Sequence, residues 1–275
     1  MKTLIAGPWV GEFGWELFAW QGYLRALSRK FDKTIIISRT ASKALYDDFA
    51  DEFISFDRQA GNADSFFMYG LDLKQSFKEI YKNNGFVLDK KTAVMLPRRI
   101  GIPPYTHYTQ HAIFGNHVIQ PEYIQYGSLE KRKYDYVFHI RSRNLRKEDN
   151  WSVDNWKALK EMLNSDKIAC IGTQKESGHL EGTEDLRGLP LEQTFNVLGN
   201  AKCSFGSSSG PMHLASLCGC PHVVWSTAQN KIRYEENWNP LNTRVLFDSE
   251  YEWHPDPEYI YKQFTDWSYR GENNK

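Results

Sequence analysis

Three stretches hold residues whose types and spacing could do chemistry. The first is the basic run "YVFHIRSRNLRKEDNW", residues 136–151. If its apolar start is a strand, alternation puts His139, Arg141 and Arg143 on one side, and Arg146 and Lys147 carry the positive charge into the next loop. Guanidinium groups there could stabilise a diphosphate through charge-assisted, often bidentate bonds. The same run also fits a solvated face paired with Glu148 and Asp149. The second stretch is "KCSFGSSSGPMHLASL", residues 202–217, where a strand enters a Gly/Ser loop and Pro211 takes the first helical position, with Ser209 or Gly210 as N-cap. Bare amides and the hydroxyls of Ser207, Ser208 and Ser209, between Gly206 and Gly210 and ahead of Met212 and His213, suit a phosphate or diphosphate. Strand–turn–helix junctions with serines are also common as plain structure. The third stretch, "GPWVGEFGWELFAWQGYLRAL" at residues 7–27, packs four glycines with Glu12 and Glu16. It could hold a diphosphate, place a catalytic base, or turn the chain.

These residues need elements to position them. Short apolar runs alternate with helix-length amphipathic segments: "TLIAG", "TIIISRT" and "DEFISFD" early, then "YDYVFHIRS", "KIACIGT", "KCSFGSS" and "HVVWST" after residue 134. That alternation predicts an α/β chain with parallel sheets. Helices are expected over residues 14–30, where Leu17, Trp20, Leu24 and Leu27 recur at helical spacing, and over 41–51, 153–164, 190–200 and 211–219. The stretch from Pro97 to Tyr126, rich in proline and aromatics with His107, His111 and His117, breaks the rhythm. A boundary near residue 128 therefore separates an N-terminal Rossmann-like domain (1–127) from a C-terminal one (128–275). Two doubly wound halves are expected to open the carboxyl ends of their strands into one cleft.

Composition narrows the classes. At 275 residues the chain has room for two domains with real cores. Lys and Arg total 34 against 34 Asp and Glu, and residues 1–130 carry 15 against 14, so no half is basic enough to grip a polyanion widely. Cys170, Cys203, Cys218 and Cys220 show no C-x-x-C spacing, which indicates buried thiols rather than a zinc site or disulfide framework. No apolar run approaches a membrane span, and the N-terminus lacks a signal-like core; a soluble, cytoplasmic protein is expected. Nine tryptophans and 15% aromatics fit either stacking surfaces for sugars and bases or an ordinary core.

Resemblances sharpen this reading. "SSSGPMHLASLCGCPHVVW" resembles the signature of the heptosyltransferase-like glycosyltransferases, an Asp-Ser/Thr-Gly-Pro-Met-His-Leu-Ala run, with Ser209 to Leu214 matching consecutively. Ser208 stands where that family has aspartate, a departure that bears on the donor and not on the fold. "GTEDLRGLPLEQTFNVLGNAKCSFG" and "NWSVDNWKALKEML" are similar to further segments of the family, so the likeness covers about 90 residues of the second half. "HIRSR" resembles the His-x-Arg motif that fucosyltransferases use at the donor phosphate. "GEFGWELFAW" resembles their Gly-x-x-Gly-Asn-x-Leu/Met-Phe element, and in position it matches the heptosyltransferase Gly-Asp element, whose aspartate is the candidate base. In heptosyltransferases a lysine close before the helix tryptophan contacts phosphate; Asp149 and Asn150 stand there in this chain, which leaves Arg141 and Arg143 as better candidates and Lys147 as a weaker one.

The resemblances imply a GT-B fold and transfer of a sugar from a nucleoside-diphosphate donor to an acceptor hydroxyl, with inversion. Gly206, Ser207, Ser208, Ser209, Gly210, Met212, His213, Arg141, Arg143 and Lys147 would serve the donor. An inverting enzyme needs a base at the acceptor hydroxyl. Glu12 in the loop is preferred to Glu16 in the first helical turn, and Gly11, Gly14 and Trp15 would line the acceptor side. His107, with Tyr105 and Tyr108, would shape the acceptor pocket, or a histidine of that loop could replace Glu12 as base. No Asp-x-Asp run is present and "FDSE" near residue 248 is a poor substitute, so metal independence is expected, with no cofactor beyond the sugar nucleotide as co-substrate. The acceptor is a glycan or another hydroxyl compound; the neutral charge gives no support to a nucleic-acid acceptor. A helix over "HPDPEYIYKQFTDWSYR" is expected to cross back onto the first domain, as in GT-B enzymes. Two rivals fit the same residues: a nucleotide-sugar epimerase on this fold, and a non-catalytic sugar- or nucleotide-binding protein.

Overall fold

A computed structural model describes residues 1–9, 11–57, 73–97, 112–114, 117–128 and 133–272. They divide into two compact units, Met1–Tyr123 and Ile124–Lys275.

Unit 1 is built on a four-stranded parallel sheet in the order β3-β2-β1-β4, with β1 Thr3–Ala6, β2 Lys33–Ser38, β3 Glu52–Ser55 and β4 Thr92–Met95. Leu4, Ile5, Ile35, Ile36 and Ile37 are all nearly inaccessible, because the central strands are covered on both faces and read as unbroken apolar runs. The loop after β1 lies tight against β2. Gly7 has φ +119°, and a Cβ there would fall 2.1 Å from the Ile37 carbonyl oxygen. One helical run follows, from α1 (Phe13–Glu16) through a π turn (Leu17–Gln21) to α2 (Gly22–Ser28). It buries Leu17, Trp20, Leu24 and Leu27, the four positions expected from their spacing. The segment expected as a helix over 41–51 is instead a short 3₁₀ turn, Thr40–Leu45. Its inward residues Ser42 and Leu45 lie three apart, which suits the three-residue repeat of that helix and leaves no apolar stripe for a longer α-helix. α3 (Leu73–Asn83) packs Phe77 and Ile80 on the sheet with Ile5, Ile35 and Ile37. β5 (Ala112–Phe114) and β6 (His117–Ile119) form an antiparallel pair.

Unit 2 carries a six-stranded parallel sheet in the order β12-β11-β10-β7-β8-β9. The strands are β7 Tyr134–His139, β8 Ile168–Cys170, β9 Glu184–Asp185, β10 Ala201–Ser207, β11 His222–Trp225 and β12 Val245–Asp248. The helices are α4 Val153–Leu163, α5 Leu191–Gly199, α6 Gly210–Leu217 and α7 Pro257–Glu272. Ser152 caps α4 by accepting the Asn155 amide at 3.1 Å. The core is an aromatic cluster: Trp156 lies 5.0 Å from Phe138 and 5.4 Å from Trp225, and Trp151 lies 4.7 Å from Trp225. Phe264 of α7 adds a ring 5.0 Å from Phe205, and Ile260 is fully buried, so the apolar face of the last helix is used on its own unit's sheet, beside α4. Six of the nine tryptophans, Trp9, Trp20, Trp151, Trp156, Trp225 and Trp238, are buried. Most of the tryptophans therefore belong to the cores. All four cysteines are buried free thiols. Among the described residues no helix is long and apolar enough to cross a membrane.

Candidate functional site

In unit 2 the chain leaves β7 toward β8 and β9 on one side, and later builds β10, β11 and β12 on the other. The order therefore reverses between β7 and β10, where the two βα loops part at the carboxyl ends of the strands and leave room for a ligand. Both chemically suggestive stretches of the second half end there: β7 delivers His139 and Arg141, and β10 delivers Ser207, Ser208 and Ser209.

His139 is 6% exposed. Its Nδ1 lies 2.9 Å from the Ser209 hydroxyl and its Nε2 3.4 Å from that of Ser177. Burial, with the charges of Arg141 and Arg143 nearby, pushes its pKa down to about 3. Arg141 is buried, bonded to Asp149 at 3.2 Å, with its guanidinium 5.4 Å from the ring centre of Trp253. Arg146 shares both neighbours, at 2.7 Å from Asp149 and 6.0 Å from the Trp253 ring. Asp149 therefore carries two guanidiniums. Arg143 is mostly covered, 3.9 Å from Glu176, and its Nε and Nη2 have no hydrogen-bond partner. Lys147 opens a 3₁₀ turn, Lys147–Asp149, and is exposed. The expected pairing of the run with Asp149 thus exists, and it orders the arginines in place.

The serine loop is fixed from outside its own helix. Ser209 is the N-cap residue of α6 but its side chain makes no capping bond. Its amide donates to the Tyr234 hydroxyl at 3.1 Å, while that hydroxyl donates to Ser208 Oγ at 3.2 Å. Ser207 is buried at the end of β10, and the Ser208 amide donates to the Trp225 carbonyl. Gly206 allows close packing, since a Cβ there would meet Met212 Sδ at 2.7 Å. His213 stacks on Tyr234 at 4.1 Å and meets Trp238 edge-on at 4.7 Å. Burial and nearby His222 push His213 down to about 3. His213 is thus a buried, neutral ring packed on Tyr234, whose hydroxyl meets the serine loop.

In unit 1 the two candidate carboxylates differ sharply. Glu16 is fully buried. Its Oε1 accepts from Ser38 Oγ and from Tyr46 OH at 2.7 Å, and its Oε2 accepts from Arg39 Nη2 and Ser42 Oγ, both at 2.8 Å. Burial, reinforced by Glu16, holds the Tyr46 hydroxyl well above its ordinary pKa, so it remains a donor. Four donors saturate the carboxylate, which ties the start of the helical run to β2 and the turn after it. Glu12 is partly exposed at the N-cap of α1, its carbonyl accepting the Glu16 amide, and its side chain makes no capping bond. Gly11 and Gly14 are buried beside it, and Trp15 is partly covered. Tyr105, His107, Tyr108 and His111 lie outside the described residues, and His117 is on β6. Among the described residues no three His, Cys, Asp or Glu side chains gather as a metal site.

Sequence reasoning did not pick out Ser177, Tyr234 or Trp253. Each follows a different strand end, and none belongs to a motif; only the sheet order brings them to His139, Ser209 and Arg141.

No family model and no curated protein matches the chain. Solved structures do. Escherichia coli ADP-heptose LPS heptosyltransferase II aligns over 99% of this chain and 100% of its own, with a TM-score of 0.60 at 13% identity. E. coli heptosyltransferase WaaC with ADP aligns over 97% and 99%, with a TM-score of 0.62 at 13% identity. A glycosyl transferase family 9 protein from Veillonella parvula DSM 2008 aligns over 96% and 89%, with a TM-score of 0.57 at 12% identity. At these identities the likeness is one of fold: this α/β chain, with a parallel sheet in each unit, has the GT-B fold of these glycosyltransferases.

Proposed function

We propose that the chain is a glycosyltransferase that moves a sugar from a nucleoside-diphosphate donor to an acceptor hydroxyl, with inversion and without a metal. One observation carries the reading: within the shared fold, the basic run and the serine loop converge on the switch point between β7 and β10. Arg141 and Arg143, the hydroxyls of Ser208 and Ser209, and the first amides of α6 supply cationic and hydrogen-bonding groups to a diphosphate there. Charge grows on that diphosphate as the glycosidic bond breaks, so groups already fixed in place stabilise the transition state more than the bound donor. Arg141 is held by Asp149 and Trp253 before any ligand arrives, which limits the reorganisation it must undergo.

The acceptor hydroxyl must lose its proton as it attacks the anomeric carbon. We assign that proton to Glu12, because four donors already occupy the Glu16 carboxylate and its burial denies it to a substrate. The cytoplasm, where sugar nucleotides are made, is the compartment this reading implies.

A transfer assay tests it. ADP-, GDP-, UDP- and CMP-linked sugars are first screened by thermal shift, since a ligand bound only by the folded state raises the melting temperature. The donor found is then offered with glycan acceptors and the products analysed by mass. Arg141→Ala is expected to lower kcat by about 10²–10³ while the variant still folds. Unchanged turnover in that variant overturns the assignment, and product formed without any acceptor points to the epimerase.

A further inference from the structure

Ser209 is an N-cap serine that does not cap. The Ser209 hydroxyl instead lies 2.9 Å from His139 Nδ1, and the other ring nitrogen, Nε2, lies 3.4 Å from Ser177 Oγ. Ser177 is itself pinned. Its amide donates to the Thr173 carbonyl at 3.1 Å, its carbonyl accepts from Arg187 at 2.7 Å, and Gly172 leaves its hydroxyl room that a Cβ, at 2.1 Å, would take. The ring thus bridges the loop after β8 and the loop after β10, at the point where both meet the end of β7.

A neutral imidazole has one N–H and one bare nitrogen, so two arrangements satisfy both contacts. In one, Nδ1–H donates to Ser209 Oγ and the Ser177 hydroxyl donates to Nε2. In the other, both directions reverse, and the Ser209 proton is turned inward to His139. Only the first leaves the Ser209 O–H free to donate outward to an anion. Resting on the transferase reading, we propose that His139 is a positioning residue: its Nδ1–H holds the Ser209 oxygen off the helix end, and so directs the Ser209 proton to a donor phosphate. Tyr234 completes the arrangement by accepting the Ser209 amide, so that both polar groups of this serine that could fold back on α6 are held by neighbours. Burial among Arg141 and Arg143 disfavours the imidazolium, and the ring stays a one-donor, one-acceptor group.

The tautomer is read directly in the free protein. With histidine labelled by nitrogen-15, the His139 signals, assigned by their loss in His139→Asn, are expected to show a protonated Nδ1 and a bare Nε2. A protonated Nε2 with a bare Nδ1, or a charged ring at neutral pH, overturns the inference. The second readout is calorimetric affinity for ADP, GDP and UDP. An asparagine amide reaches the place of Nδ1, whereas a glutamine amide reaches that of Nε2. His139→Asn is therefore expected to recover most of the affinity that His139→Ala loses, about tenfold, and His139→Gln to recover little. In Ser209→Ala the same loss is expected, with no further loss when His139→Gln is added. Equal affinities in the asparagine and glutamine variants, or additive losses in the double variant, overturn it. Should a histidine variant fail to fold, the Ser209→Ala affinity and the wild-type tautomer decide alone. Wild-type protein that binds none of the three nucleotides defeats the transferase reading itself; wild-type binding with the wrong tautomer defeats only the role of His139.

Discussion

Glu12 and Glu16 stand four residues apart, and their surroundings differ sharply: Glu16 is fully buried and Glu12 is partly exposed. Replacing Glu16 by Gln leaves Arg39 without its partner and puts an amide N–H among hydroxyl donors, which is expected to cost about 3 kcal/mol of stability. Urea unfolding of the variant measures this, and a loss below about 1 kcal/mol would show that the four bonds matter little. Glu12→Gln is expected to leave stability and nucleotide affinity unchanged while transfer falls by about 10²-fold or more. Calorimetry beside a transfer assay separates the two effects, and full activity in Glu12→Gln would remove Glu12 as base. The acidic residue types were legible from the sequence. Saturation of Glu16 was not, because its donors Ser38, Arg39, Ser42 and Tyr46 come from β2 and the turn after it, 22 to 30 residues away.

At the scale of the elements, the strand ends decide where function can sit, and the one after β8 depends on a small residue. Gly172 adopts φ +124° just after β8, and a side chain there would collide with Ser177. Gly172→Ala is expected to destabilise the protein by about 2 kcal/mol through backbone strain and overlap, and to weaken nucleotide binding by displacing the partner of His139. Intact affinity in a stably folded Gly172→Ala protein would argue against that link. Three buried histidines, His139 at the end of β7, His213 in α6 and His222 at the start of β11, have folded pKa values near 3, 3 and 4. The unfolded chain takes up protons as pH falls through about 6.5 while the folded chain does not, so their stability is complete above that pH and is lost as it falls toward 4. Each adds a slope of about 1.4 kcal/mol per pH unit in that window. Urea midpoints that stay constant between pH 7 and pH 5 would contradict this. In unit 2 the strands β7, β8, β10 and β11 and the four helices were readable from apolar runs and amphipathic spacing, whereas the edge strand β12 was not. β4 was not, because Thr92–Met95 is an edge strand with partly exposed residues and lacks the closed apolar run of its neighbours.

For the whole molecule, the division into two parallel-sheet units makes a prediction about where a donor acts first. Hydrogen exchange with and without the nucleotide that binds is expected to show added protection in unit 2 peptides covering residues 139–147, 171–178 and 206–213, because ligand binding to those loops raises the cost of opening them. Protection confined to other peptides would displace the donor site from the β7/β10 switch point. The amino-acid sequence alone determined the α/β class, the bulk of the strands and helices, and the signature from Ser209 to Leu214, since these depend on local periodicity, on turn chemistry and on contiguous residue types. It also singled out Arg141 and Arg143 as cations of the right kind. What only the tertiary structure decided is partnership: that Trp253 lies on Arg141, that Tyr234 and His139 hold Ser209, and that Glu16 is buried under four donors while Glu12 is partly exposed. The physical reason is the parallel sheet itself. Its crossover connections bring strand ends far apart in the chain side by side at one edge, so the hydrogen bonds and ion pairs of the site join residues whose meeting no local pattern encodes.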